Sequence, residues 1–525
     1  MSRITRLAKI STKGGFNLFW GVAASSTISA VGVILVARFL TPSEYGLFAV
    51  ALVVPQLIHM FKTLGMDQAT IKYTAQYHEE DRPRKIKNIL ASVVSFEVLL
   101  GLALSVVCFL LSGVLASVFH RPEITPLVQI ASFSILGEAL FKASQSGFTG
   151  YEKMEFHSTS LIIRSILKSS FMILLVLLGW GVYGAVLGTT ISYLVTGTVS
   201  LILLYFTVYR KLHCDGSKLQ IFSTTKKMLR YGIPLSLSSI FHSLLKEFYT
   251  FLIALFLSDQ IIGNYEVAVN FTVLISFFVT PVNTVLFPLF SKLDHKKEPE
   301  VLRNVFQFSV KYASLLVVPV TFLVMTLSRP AVYTLFGEDY QYAPLYLSLY
   351  VILYLKAAFG NLSYTQLLKG QEKTKLNLKL SLLGVATGIT LSVILIPPFG
   401  IFGLLAAHLT SGLPSLMIGL WWIRKHYHFT IHLPSTVKIL FSSACAALLT
   451  YGVVSLLNSP YWTTLILGGT VYSTTYLILA PLMGAINQAD TQNLKKMLES
   501  LGPLGSLLNI PLNLIEKLYL IFQKP

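Results

Sequence analysis

The chain runs to 525 residues, of which 54% are apolar and 12% charged. That is about half the charge share of a soluble protein, which excludes a water-soluble enzyme or binding module. The formal charge of +18 would point to nucleic acid in a soluble chain, but here the lysines and arginines lie between apolar blocks.

Apolar blocks near the ~20 residues that one helix needs to cross a hydrocarbon core fall at 16–39, 45–64, 88–111, 126–147, 156–178, 183–209, 232–257, 263–290, 304–327, 342–366, 377–397, 401–423, 437–457 and 462–484. The first lacks a small-residue cleavage site and reads as a retained span. Odd-numbered joins are almost free of Lys and Arg: 40–44, 179–182, 258–262, 398–400 and 458–461 hold none, and the two longer ones hold only Arg121 and Arg329. Even-numbered joins are basic, with Arg82, Arg84, Lys85 and Lys87 in one and Arg210, Lys211, Lys218, Lys226, Lys227 and Arg230 in another. The N-terminus adds Arg3, Arg6, Lys9 and Lys13. This asymmetry places both termini and the even joins in the cytoplasm of a multi-pass plasma-membrane protein, with attraction to anionic lipid as a second consequence. Beyond Asn487, Asp490 is expected to cap an amphipathic helix, and a second such stretch surrounds Leu514–Phe522. Both would lie on the cytoplasmic leaflet or pack on the protein's own underside.

The blocks repeat. Residues 37–51, ARFLTPSEYGLFAVA, align with 254–268, ALFLSDQIIGNYEVA, placing Gly46 over Gly263. Gly150-Tyr-Glu-Lys153 falls on Gly370-Gln-Glu-Lys373, and Gly181-Val-Tyr-Gly184 on Gly400-Ile-Phe-Gly403. Landmarks in one order with shifts of 217, 220 and 219 mark a duplication. Each copy holds an even number of spans, so the copies are parallel and related by an axis along the membrane normal, with a path at their interface. The expected fold is an all-α polytopic membrane protein of about 14 transmembrane helices: two parallel six-helix repeats forming N- and C-lobes around a central cavity, plus two extra helices. The domains read as 1–218, 219–430, 431–485 for the extra spans, and 486–525 for the tail.

The string Val36-Ala-Arg-Phe-Leu-Thr-Pro-Ser-Glu-Tyr-Gly-Leu-Phe48, followed by Leu64-Gly-Met-Asp-Gln-Ala-Thr-Ile-Lys72 and the paired Gly150–Lys153 and Gly370–Lys373 motifs, resembles the polysaccharide transporter branch of the multidrug/oligosaccharidyl-lipid/polysaccharide (MOP) flippase superfamily. The resemblance covers residues 10–484. It implies a V-shaped pair of lobes and a cationic cavity built by spans 1, 2, 7 and 8. It also implies alternating access that moves a polyprenyl- or dolichyl-diphosphate-linked sugar outward, with no catalytic chemistry.

An ionisable side chain at bilayer depth costs about 2.5–3.5 kcal/mol, so those present need a partner or a water-filled cavity. Span 7 holds His242, Lys246 and Glu247, and span 8 holds Glu266. Lys246 is the first choice for phosphate contact, the competing reading being an ion pair that only joins spans. Glu247 and Glu266 are the candidates for coupling to a proton or Na⁺. Gln56, His59 and Lys62 form one polar stripe on span 2 by their spacing of three, either lining the cavity or, for Lys62, snorkelling to the interface. Arg164 and Lys168 are a like-charge i,i+4 pair that needs an anion or a carboxylate, Glu138 or Glu97, between them. Arg38 ends span 1 near Glu44, where it either meets the departing diphosphate or anchors the loop. Pro234, Pro281, Pro288 and Pro319 allow kinks. Three scattered cysteines, Cys108, Cys214 and Cys445, give neither a disulfide framework nor a metal site.

No Walker loop, zincin motif or nucleophile elbow occurs. The expected partners are a lipid-linked oligosaccharide, membrane lipids, and glycosyltransferases or a polymerase of the same pathway. No cofactor is implied beyond H⁺ or Na⁺ coupling, no nucleic acid is expected, and the chain reads as a monomer. The competing functions are a cation-coupled exporter of the MATE type and, further off, a glycan polymerase or ligase.

Overall fold

The computed structural model describes residues 3–62, 64–212, 220–457, 459–488, 490–492 and 495. Among them no strand occurs. In chain order the helices are α1 (Arg3–Phe39), α2 (Pro42–Lys62), α3 (Met66–Glu79), α4 (Pro83–Val118), α5 (Ile124–Ser132), α6 (Ser134–Gly150), α7 (Met154–Leu175), α8 (Gly181–Thr207), α9 (Ile221–Phe256), α10 (Asp259–Phe271), α11 (Val273–Ser291), α12 (Pro299–Thr326), α13 (Ser328–Phe336), α14 (Ala343–Tyr350), α15 (Asn361–Gly370), α16 (Thr374–Ser411), α17 (Leu413–Tyr427), α18 (Leu433–Leu456) and α19 (Tyr461–Leu482). Nine stretches among the described residues are long and apolar enough to cross a membrane, ten if one bent pair counts as a span. Two of the nine, Met154–Lys211 and Thr374–Tyr427, fold back on themselves.

Those two hairpins explain one of the sequence landmarks. Gly181 (φ 50°, ψ −130°) and Gly400 (φ 58°, ψ −130°) take nearly the same left-handed backbone conformation, open to glycine and costly for other residues. The second glycine of each motif closes the hairpin: a Cβ on Gly184 would meet the Leu175 carbonyl, and one on Gly403 the Leu395 carbonyl. The other landmark is a helix stop. Glu152 and Glu372 have φ of 60° and 58°. Behind them, Lys153 N–H donates to Phe148 O and Lys373 N–H to Leu368 O, both at 2.8 Å. These are Schellman turns with glutamate in the position glycine usually takes. The duplication is thus written in backbone geometry.

The chain forms two compact units. The first comprises Met1–Glu266 with Ile389–Leu404, and the second Val267–Gly388 with Leu405–Pro525. In the first, α1 lies along α7 through small residues, with Ser25 and Ser29 bonded to Ser165 at 2.7 Å and 3.0 Å. The loop-side core of this unit gathers Met66, Ile89, Leu90, Phe148, Leu204 and, from α9, Met228. In the second unit one core packs Phe290, Phe306, Leu367 and Ile423, and another packs Val318, Ile439, Tyr472 and Tyr476. The span from α14 passes through a 3₁₀ stretch, Val351–Phe359, and bends by 51° at Gly360 into α15. Many hydroxyls inside apolar helices are satisfied locally: Thr189, Thr190 and Thr196 each donate to the carbonyl four residues back.

Candidate functional site

The site lies in the first unit, where α2, α9 and α10 meet. At the start of α2, Thr41 Oγ1 accepts from Glu44 N–H at 3.3 Å while Glu44 Oε2 accepts from Thr41 N–H at 2.8 Å, a capping box ahead of a proline-led helix. Glu44 therefore caps the start of α2 together with Thr41. Arg38 is exposed in the last turn of α1, where the helix dipole favours a cation.

The duplicated glycines meet each other. A Cβ on Gly46 would collide with the Asp259 carbonyl, and one on Gly263 with the Pro42 carbonyl. Pro42 and Asp259 are themselves matched positions, 217 apart, so α2 and α10 cross symmetrically at a backbone-to-backbone contact. Arg121 secures the same end. The Schellman turn that stops α4 puts His120 at φ 55° and delivers Arg121, whose N–H donates to Ala116 O at 2.9 Å. The guanidinium pairs with Asp259 at 2.8 Å, donates to Leu257 O at 2.5 Å, and also donates to Ala254 O. These carbonyls end α9 and lack helical partners, so one arginine caps α9 and holds the first residue of α10.

Lys246 lies 10 residues before Phe256, about 15 Å from the end of α9 at 1.5 Å per residue. Its side chain is exposed, as is Gln56 on α2, while Glu247 and Glu266 are half-buried. The amide nitrogen of Gln56, turned toward α9, donates to Glu247 at 3.1 Å and 3.3 Å. Lys246 acts electrostatically on both carboxylates, and Glu266 also feels Glu247. Gln56 and Glu247 are thus in contact, with the charges of Lys246 and Glu266 close enough to act on Glu247 and on each other. The side chains of His59, Lys62 and His242, like those of Pro234, Pro281 and Pro288, lie outside the described residues.

Arg164 is elsewhere in the first unit and is occupied. It pairs with Glu138 at 3.2 Å and lies over the rings of Tyr193 and Phe141 at 4.4 Å and 4.9 Å. The carboxylate alternative considered for the Arg164–Lys168 pair is met by Glu138, and Lys168 is half-buried one turn away. In the second unit, Lys311 pairs with Asp490 at 2.5 Å. Asp490 also accepts from Asn487 N–H at 2.8 Å, and its own N–H donates to Asn487 Oδ1. Asn487 is therefore the capping residue, with Asp490 three places on. The capping box was legible as Thr-x-x-Glu; the roles of Arg121 and Lys311 carried no local signal.

The family described as Polysaccharide biosynthesis protein matches residues 35–344, and the lipid II flippase MurJ family matches residues 233–474. The lipopolysaccharide biosynthesis protein WzxC of Escherichia coli (strain K12) is 25% identical over 347 residues, 65% of this chain and 67% of that one. The succinoglycan biosynthesis transport protein ExoT of Rhizobium meliloti (strain 1021) is 26% identical over 337 residues, 62% and 63% of the two chains. The solved lipid II flippase MurJ, in its inward closed conformation, superposes with a TM-score of 0.72 at 16% identity, over 89% of this chain and 98% of that one, and shares the fold. The chain belongs to the polysaccharide biosynthesis protein family, within the MOP flippase superfamily, and is a membrane transporter rather than a catalytic enzyme.

Proposed function

We propose that the protein carries an oligosaccharide linked to a polyprenyl or dolichyl diphosphate from the cytoplasmic to the outer leaflet by alternating access, and that the Gln56–Lys246–Glu247–Glu266 group is its binding and coupling centre. One observation carries this reading: Lys246 is uncovered by protein 10 residues before the end of α9, and its charge acts on Glu247 and Glu266. An ammonium turned to lipid there would cost about 2.5–3.5 kcal/mol, so the uncovered side faces a water-filled path. Without cargo, Glu247 and Glu266 balance Lys246. A diphosphate competes for the ammonium and leaves two carboxylates close together, and like charges at short range favour uptake of a proton or Na⁺. Cargo and coupling cation are thereby linked through a single lysine.

Around this centre the reading assigns fourteen spans in two parallel six-span repeats plus two, termini in the cytoplasm of a plasma-membrane protein, and substrate contacts from His59, Lys62, His242, Arg38, Arg164 and Lys168. It also takes the chain as a monomer served by the glycosyltransferases or polymerase of its pathway. An exporter of cationic drugs would place no ammonium at this depth between its carboxylates. The test is reconstitution in liposomes with lipid-linked glycans, reading their accessibility to an enzyme added on the far side. Transport that depends on an ion gradient, and loses that dependence in Glu247→Gln/Glu266→Gln, supports the scheme. Transport with unchanged gradient dependence in the double variant overturns the coupling role.

A further inference from the structure

A second cationic constellation lies at the loop end of the first unit, away from Lys246. Three lysines from three helices converge on three tyrosines. Lys72 of α3 lies over the Tyr231 ring of α9 at 3.8 Å and within 5.5 Å of Tyr73. Lys227 of α9 lies over Tyr73 at 4.4 Å and donates to the Tyr77 hydroxyl at 2.7 Å. Lys85 of α4 approaches the Tyr77 ring at 5.0 Å. The rings are a single cluster, with Tyr73 at 6.2 Å from Tyr77 and 5.6 Å from Tyr231. The backbone beneath is tight: a Cβ on Gly65 would overlap Gly232, and one on Gly232 would overlap Gly65.

Three ammoniums around one aromatic cluster repel each other, and among the described residues none of them is in an ion pair. The adjacent carboxylate Glu80 is already taken by Arg82 at 3.0 Å and Gln76 at 2.7 Å. Ring faces stabilise each cation on one side. The hydrogens on its other side are left to solvent. Each ammonium carries three donors, and among the described residues only Lys227 directs one to a protein acceptor. All three lysines are exposed. A fixed, donor-rich, uncompensated triad is suited to a multiply charged oxyanion, because a phosphate accepts several charge-assisted hydrogen bonds at once.

We infer that Lys72, Lys85 and Lys227, framed by Tyr73, Tyr77 and Tyr231, form a phosphate-binding site on the side that the Lys/Arg asymmetry assigns to the cytoplasm. Its ligand is a phosphate group, carried either by a lipid head group of the adjoining leaflet or by a soluble phosphate compound. The site is separate from the Lys246 centre and does not rest on the transport scheme.

The experiment uses the full chain in a Lys246→Ala background, which removes the leading phosphate contact of the transport centre and leaves any residual binding there common to all the variants compared. Calorimetric titration with inorganic pyrophosphate forms one arm; the other measures retention of phosphatidylglycerol against phosphatidylcholine in nanodiscs of mixed composition. Binding in the first arm identifies a soluble ligand, and enrichment only in the second identifies a head group. In either case Lys72→Gln/Lys227→Gln lowers affinity at least tenfold, and Lys72→Arg/Lys227→Arg retains it at an unchanged thermal midpoint. Absence of binding in both arms, or equal binding by the folded glutamine variant, overturns the site. Loss in the arginine variant as well, with a lowered midpoint, also overturns it, because the lysines then only fasten α3 to α9.

Discussion

Helices α1 and α9 open the two copies of the repeat, yet α1 lies along α7 while α9 lies on α2, α3 and α4. The difference is written at matched positions 217 residues apart: Ser29 against Lys246, Ala30 against Glu247, and Gly32 against Tyr249. Along α1, Cβ atoms on Gly21 and Gly32 would strike Ser158 and Ser169. Ser25 and Ser29 hydrogen-bond to Ser165. Small residues let two helices close where lipid supplies no hydrophobic drive between them. Among the described residues of α9, Gly232 in its first half meets Gly65, and Arg121 holds its C-terminal end. Lys246 and Glu247 lie between these two points.

The largest effect is expected where the copies differ most. Lys246→Ala abolishes surface-glycan export, at least tenfold below wild type given the ~1.5–3 kcal/mol of a charge-assisted hydrogen bond, while membrane-inserted protein and its thermal midpoint are unchanged. Intact export in that variant breaks the assignment. Arg164 tests the opposite kind of charge. Arg164→Ala removes the ion-pair partner of Glu138 in a protein-covered place and lowers unfolding free energy by about 3–5 kcal/mol. Arg164→Met/Glu138→Met recovers most of the stability, and if the double variant exports glycan normally, Arg164 is scaffold and leaves the list of substrate contacts. Next in size is the α1 seam: Gly32→Val forces α1 off Ser169 and lowers stability by about 1–3 kcal/mol, read by denaturant titration in detergent. An unchanged midpoint would mean α1 is not held there. The smallest effect is Thr41→Ala, which removes half of the capping box at about 1 kcal/mol and leaves transport intact.

Much of the scaffold was legible because it repeats and because its signals are local. Gly181 and Gly400 were matched as letters, and they share one backbone conformation because a hairpin of two spans requires a positive φ there. Glu152 and Glu372 came as part of the same match, and both stop helices. The site was legible only in part. Lys246, Glu247 and Glu266 stood out as charges in apolar segments, but the approach of Gln56 to Glu247 spans 191 positions (56 to 247) and depends on how α2 crosses α9. Arg164 read as a substrate contact or, more readily, as paired with Glu138 or Glu97, and its contacts with Glu138 and the rings of Tyr193 and Phe141 appear only in the folded chain.

By itself the sequence determined that this is a duplicated helical membrane protein with uncopied charges at the start of its second half. Apolar length, loop charge and a repeated motif are properties of short segments, readable without knowing what packs on what. Only the tertiary structure decided that Gly46 and Gly263 touch, that Arg121 closes the end of α9, and that α9 groups with the first unit. Those outcomes depend on backbone approach and on which carbonyls lie orphaned at a helix end, and such quantities exist only once distant helices have been brought together.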